Sequence, residues 1–538
     1  MSEEHLLKRN MGGFGLLFIS IGAMIGSGWL FSALYAAQLA GPAAIISWII
    51  AACIGGVIAL VFAELGAMLP VAGGLARYPH LAFGGVTSYL TGWLCWLGYV
   101  VVAPVETMAI LEYLGNLLPW LTVVNGDDRT LSPAGTGVAV FILAALTIIN
   151  MVGVRMLSES NNWLTIWKII VPTGTAILFL CMGFNSENFT VHGFAPNGIN
   201  GIFSAVAAGG VMFSLIGFRA AIELSGEAKN PQKDVPRAII GSLLICTVIY
   251  IMLQVAFIGV VPESSIEDGW GGLVSNGASG PFAAFAVMLG MSWLATVLYV
   301  DATLSPFGTS LVFTAATSRL TVAMSRNKNV PKIVGRINKR GVPFWSLLIN
   351  FLVGLILLAP LPGWNQLVAI ISASTVLAGG IGAISMMVLR RNHPEMHRPL
   401  KLPFGNAFAL MAFTFGNLIA YWCGWDVSKV IIIVILVSLI LLLVFSRGLR
   451  PHYHEMHPTR SIWIFPYLAG LFILSWLGPY KGGIGILASP WGDLAVVAWS
   501  LIMGPIGCRC GVALHHGQKL MESVHEEIGL PPTQASSD

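Results

Sequence analysis

The chain has 538 residues, of which 56% are hydrophobic and only 10% charged, and its mean hydropathy is +0.80. Soluble domains carry roughly 25% charged residues, so this composition excludes a soluble globular protein and points to a polytopic membrane protein. The formal net charge of +4 acquires meaning only from where the charges fall.

The N-terminal MSEEHLLKRN is short and polar, and the apolar run behind it is too long for a signal-peptide core. Residues 1–11 therefore read as a cytoplasmic N-terminus ahead of a retained first span. Hydropathy predicts five spans near 12–39, 42–69, 84–118, 134–153 and 160–184. Five more lie near 200–224, 237–261, 281–318, 343–360 and 365–389, and a last four near 404–424, 428–446, 462–478 and 488–508. Each is long enough to cross about 30 Å of hydrocarbon when helical. Residues 511–538 read as a polar cytoplasmic tail. The expected architecture is thus all-α with about fourteen spans.

Basic residues test that count. One set of loops holds Lys8, Arg9, Arg77, Arg155, Lys229, Lys233, Arg237, the cluster from Arg319 to Arg340, Arg390, Arg391, Arg398, Lys401, Arg447, Arg450 and Arg460. The opposite loops hold Arg129, Lys429 and Lys481. Positive charge accumulates on the cytoplasmic side, so both termini are expected there, in a multi-pass protein of the cell (inner or plasma) membrane.

Within the first span, GAMIGSGWLF (22–31) sets Gly26, Ser27 and Gly28 side by side. Glycine is a poor helix former, and an open backbone at membrane depth is tolerated only against protein or a water-filled cavity. The sixth span carries a matching disruption, with Gly209, Gly210, Ser214 and Gly217 in AAGGVMFSLIGFRAAIELSGEAKNP. Paired interruptions at corresponding places in two halves point to a binding site. The N–H end of such a break suits a carboxylate and the C=O end an ammonium, so two facing breaks suit an amino acid.

Ionisable residues at membrane depth are costly and default to function. Glu64 and Glu223 lie near the cytoplasmic side and read as structural, and Glu112 lies toward the outer edge. Lys168, Arg219, Glu106 and Asp301 lie deeper. Asp301 precedes a break expected at Ser305, Pro306 and Gly308 in the eighth span, either as a protonation site or as a counter-ion for Arg219 or Lys168. The seven cysteines show no metal spacing, and no nucleotide-binding loop is found, so no cofactor, no enzymatic activity and no nucleic-acid partner is expected. PHYHEMHPTR (451–460) reads as a solvated cytoplasmic loop. The oligomeric state is left open.

GAMIGSGWLF with AGPAAIISWII, then FAELGAMLPVAGG, GWLCWLGYV, GEAKNPQKDVPRAI and SRLTVAMSRNKNVP, in that order, resemble the amino acid–polyamine–organocation transporter superfamily over residues 10 to 400. The resemblance implies a five-plus-five inverted-repeat core of the LeuT-like kind over 12–390, divided as 12–184 and 200–390, with peripheral helices over 404–510. It further implies alternating access, with Ile25, Gly26, Ser27 and Gly28 on the substrate α-carboxylate and carbonyls around Phe213, Ser214 and Ile216 on its amino group. Phe218 matches the aromatic that closes over the substrate. Lys168, in WLTIWKIIVP, matches the fifth-helix lysine that replaces a sodium ion in proton-coupled members; a structural tie to backbone carbonyls is the alternative. Two residues depart from the common pattern. Trp29 is expected to narrow the pocket. Arg219 offers a bidentate partner for a side-chain carboxylate, which looks most like the aspartate–proton symporter branch; pairing with Glu106 or Glu223 is the alternative. Proton symport of an acidic amino acid is the leading expectation, with Lys168, Asp301 and Glu106 as coupling candidates. A neutral amino acid carrier or exchanger, a non-transporting sensor, and a proton-translocating respiratory subunit remain as other readings.

Overall fold

The computed structural model describes residues 11–71, 73–125, 128–152, 155–273, 280–338, 341–358, 364–449 and 458–512. The first ten residues, most of the His-containing tract at 451–460 and the tail from 513 lie outside these. Among the described residues fourteen helical spans follow one another. The chain is an all-α membrane protein with one small exception: strands Thr122–Asn125 and Asp128–Leu131 form an antiparallel hairpin between the third and fourth spans, Thr122 opposite Leu131.

Two spans are broken where the glycines fall. The first consists of Gly13–Met24 and Ser27–Ala40, with Ile25 and Gly26 in non-helical backbone between them. The sixth consists of Gly198–Ala207, a left-handed turn at Gly210 (φ 84), Val211–Leu215, a 3-10 turn over Ile216–Arg219, and Ala220–Glu223; its two parts are bent by 45°. Glycine at Gly210 supplies the positive φ at no steric cost. Four spans separate the two broken ones, so they run in opposite senses through the membrane, as an inverted repeat requires.

The broken spans sit at the centre of the molecule. Gly13–Met24 packs on the fifth span (Arg155–Met182), the seventh (Pro231–Val260), the eighth (Ser292–Arg326) and the 3-10 turn of the sixth. The approach to the sixth is close enough to demand glycine: a Cβ on Gly217 would lie 2.6 Å from the carbonyl carbon of Ala23. The third span (Gly85–Val100 continuing as Val102–Leu114) and the tenth (Trp364–Asn392) complete the surround. The eleventh span, Gly405–Trp422, packs along the tenth, and the last three flank these.

One set of helix ends is tied by charge. Glu64, in the second span (Ala44–Met68), receives Arg390 Nε at 2.8 Å and Nη2 at 2.5 Å, and the amide of Leu402 at 2.9 Å. Glu64 is therefore structural, as its position in the sequence led us to expect. Arg319 on the eighth span donates to Glu227 at 2.6 Å, and Met11 pairs with Glu227 and Lys229 through backbone bonds of 3.0 and 2.8 Å.

The eighth span differs from expectation. No break occurs at Ser305–Gly308; the helix runs unbroken from Ser292 to Arg326 through Pro306. A transmembrane helix accommodates proline where neighbouring helices and hydroxyl side chains cover the freed carbonyl. The interruption lies earlier, at Leu289–Met291, where Gly290 has φ 75 and separates the short helix Pro281–Met288 from the span proper.

Candidate functional site

The break in the first span leaves free N–H groups on one side and free C=O groups on the other. The protein meets both ends with its own side chains. The Ser27 amide donates to Glu106 Oε2 at 2.7 Å, from the third span. On the carbonyl side, Lys168 Nζ donates to Gly22 O at 2.7 Å and to Thr309 Oγ1 at 2.9 Å. The Thr309 hydroxyl lies 2.9 Å from Gly22 O and 3.2 Å from Ile25 O, and Tyr250 OH donates to Met24 O at 2.7 Å. A carboxylate at the N–H end and an ammonium at the C=O end complement the two half-helix dipoles.

The two breaks touch. Ser32 Oγ and Ser214 Oγ are 3.0 Å apart, Ser214 Oγ donates to Gly210 O at 2.9 Å, and a Cβ on Gly28 would fall on Ser214 Oγ. Trp364, at the start of the tenth span, donates from Nε1 to Ser27 Oγ at 2.9 Å and packs on Phe31, Tyr35 and Phe213 with ring centroids 5.3, 5.5 and 5.9 Å away. Ile25, Gly26, Ser27, Gly28, Phe213, Ser214, Ile216 and Phe218 are all buried. The residues named from the sequence around the two breaks are therefore brought together.

Arg219 closes the sixth-span 3-10 turn and is 1% exposed. Its Nη1 donates to Thr375 O at 2.6 Å, while Nε and Nη2 have no hydrogen-bond partner among the described residues. Neither Glu106 nor Glu223 forms an ion pair with it, so that alternative is not realised. Glu223 instead accepts from Tyr99 OH at 3.5 Å. A Cβ on Gly379 would lie 2.7 Å from Arg219 Nη2, which places the guanidinium against the tenth span.

Asp301 is not a contact counter-ion of Arg219 or Lys168. Its carboxylate accepts from three neutral donors: Trp29 Nε1 at 3.0 Å, Trp167 Nε1 at 2.8 Å and Ser305 Oγ at 2.7 Å. The Trp29 ring also packs on Phe282 at 5.4 Å. The indole thus lies between the eighth span and the short helix Pro281–Met288.

Sequence reasoning missed Trp364, Thr309, Tyr250, Trp167 and Thr375. Trp364 opens the tenth span, and tryptophan at a span end ordinarily marks the membrane interface. The hydroxyls of Thr309 and Tyr250 sit in apolar runs with no periodic signal of their own.

The amino acid permease family model matches residues 11–445. The chain belongs to that family. This permease is 38% identical over 502 residues to the glutamate/serine transporter AimA of Bacillus subtilis (strain 168), covering 92% of this chain and 93% of the relative. It is 34% identical over 514 residues to the aspartate-proton symporter of the same organism, covering 94% and 98%. Among solved structures, a mutant of the manganese transporter of Eremococcus coleocola aligns with a TM-score of 0.49 at 13% identity, over 94% of the permease and 97% of that chain. The permease is thus a multi-pass membrane protein whose close homologues are amino acid transporters.

Proposed function

We propose that this permease is a secondary transporter that imports an acidic amino acid together with protons, by alternating access around the paired breaks. The observation that carries the acidic specificity is Arg219, a buried guanidinium with two unpartnered N–H donors beside the sixth-span break. A buried guanidinium with no carboxylate in contact is expensive, and a substrate side-chain carboxylate supplies that contact with bidentate geometry. The substrate α-carboxylate takes the Ser27 amide in place of Glu106, with Ile25, Gly26 and Gly28 shaping its seat. Carbonyls around Phe213, Ser214 and Ile216 hold the amino group, and Phe218 closes over it.

Two groups at the first-span break are available for coupling. Glu106, once displaced from Ser27, gives up the amide that stabilises its carboxylate and becomes a proton acceptor. Lys168 holds the inner half of the first span through Gly22 O, and deprotonation removes that charged tie. We assign coupling to these two; Asp301, the third candidate, is satisfied by three neutral donors. In this scheme repeats 12–184 and 200–390 move, helices 404–510 brace them, and both termini face the cytoplasm, where the basic loops lie.

A second reading has a specific support. The relative at 38% identity is a glutamate/serine transporter, which favours a wider specificity that admits a small neutral amino acid. Uptake of radiolabelled aspartate, glutamate, serine and leucine into proteoliposomes separates the two. In Arg219→Gln, uptake of the acidic substrates is expected to fall by about tenfold or more, because a buried ion pair is lost, while Arg219→Lys retains part of it. Acidic uptake unchanged in Arg219→Gln would refute the role of Arg219.

A further inference from the structure

Asp301 and the two indoles that bind it have no part in the scheme above. Asp301 is fully buried on the eighth span. Its two oxygens divide their partners: Oδ2 accepts from Trp29, while Oδ1 accepts from Trp167 and Ser305. Trp29 is the third residue of Ser27–Ala40, the half of the first span beyond the break. Trp167 precedes Lys168 on the fifth span, and Ser305 lies one turn along the eighth. One carboxylate therefore joins the half-helix Ser27–Ala40 to two unbroken spans. Phe282 adds an apolar cover from the short helix Pro281–Met288, its ring 5.4 Å from Trp29, 6.0 Å from Phe179 and 5.5 Å from Phe257.

We propose that Asp301 is a positioning residue, the fixed post of a latch that holds Ser27–Ala40 against the fifth and eighth spans and so keeps the breaks closed from the outer side. The latch rests on the reading of the breaks as the substrate site and of Ser27–Ala40 as the outward half of its helix. The division of labour between the two oxygens supports it. Ser305 shares Asp301's helix, and Trp167 lies on a continuous neighbouring helix, so Oδ1 anchors the post. Oδ2 serves a single indole on a half-helix whose own continuity ends at Gly26. That bond is the one that parts when Ser27–Ala40 tilts outward. Phe282, on a short helix of the outer loop, rides with Trp29 or releases it.

The decisive variant is Trp29→Phe, which keeps the ring and removes the donor. Hydrogen–deuterium exchange of substrate-free protein in nanodiscs would be followed over peptides covering 27–40 and 13–24. The latch predicts faster exchange in 27–40 by about tenfold, the scale of one hydrogen bond to a charged group, with 13–24 unchanged. It also predicts a lower KM for external substrate together with a lower kcat, because opening is favoured and closure is not. Asp301→Asn should act in the same direction, and the double variant should be no worse than Asp301→Asn alone. Trp167→Phe, which touches only Oδ1, should affect 27–40 less than Trp29→Phe. Exchange in Trp29→Phe matching wild type, or additive effects of the two substitutions, would overturn the latch. Faster exchange in 27–40 with no change in substrate KM would keep the latch and sink the substrate-site reading.

Discussion

Glu106 occupies the Ser27 amide at the first-span break, 2.7 Å from the nitrogen that a bound carboxylate would need. The protein's own carboxylate thus stands where the helix dipole favours an anion, and its second oxygen, Oε1, has no hydrogen-bond partner among the described residues. Replacing it by an amide of the same shape keeps an acceptor for Ser27 but removes the group that takes up a proton on displacement. In Glu106→Gln, substrate exchange across proteoliposomes should persist while accumulation driven by a pH gradient falls by about tenfold or more, the equivalent of about 1.4 kcal/mol. Equal loss of exchange and accumulation would point to a purely structural carboxylate.

Thr309 offers a test of the opposite end of the break. Its hydroxyl accepts from Lys168 and lies within hydrogen-bond distance of Gly22 O and Ile25 O. Thr309→Val keeps the volume and leaves Lys168 with one fewer acceptor, at a cost of about 1–3 kcal/mol for an unsatisfied buried group. Thermal unfolding in detergent should show a lower Tm, and the combined loss with Lys168→Met should be smaller than the sum of the two single losses, because both substitutions remove the same Lys168–Thr309 contact. Additive losses would show that the two residues act independently.

The two breaks are held at contact distance by Gly217 against Ala23. Gly217→Ala places a methyl group 2.6 Å from main-chain atoms that cannot rotate away, and overpacking of this kind costs about 1–3 kcal/mol. Reduced yield of folded protein is expected, with transport lost in the remainder. Full activity would mean that the spans are further apart in the working protein.

The location of both breaks was legible in the sequence because glycine and serine clusters interrupt otherwise continuous apolar runs. The ion pair of Glu64 with Arg390 fits its place near the end of an apolar run. What stayed hidden were partners contributed across the bundle. Glu106 reads as one buried acid among several until the third span is seen to lie beside Ser27. Pro306 was misleading, since proline ends a helix in water but not where neighbouring helices cover its carbonyl.

Glu64 and Arg390 provide a control region away from the breaks. Removing one partner of a buried pair strands the other, at about 3–5 kcal/mol. Glu64→Ala should therefore lower Tm strongly, and any protein that survives should keep wild-type substrate preference. A changed preference would link this clamp to the site.

At the same face, burial holds His393 below the ordinary histidine range, with Glu395 opposing from 3.4 Å. The folded state then binds a proton less readily than the unfolded chain, so stability falls as pH drops below the unfolded histidine value. Melting curves between neutral and mildly acidic pH should show this slope, reduced in His393→Gln.

The central claim is tested most directly by proton-driven accumulation. Proteoliposomes holding the purified permease would be given external labelled aspartate and an inward proton gradient, with and without a protonophore. Internal aspartate rising above the external concentration, and collapsing when the protonophore is added, is the predicted result. Equilibration without accumulation, indifferent to the gradient, would contradict proton-coupled import.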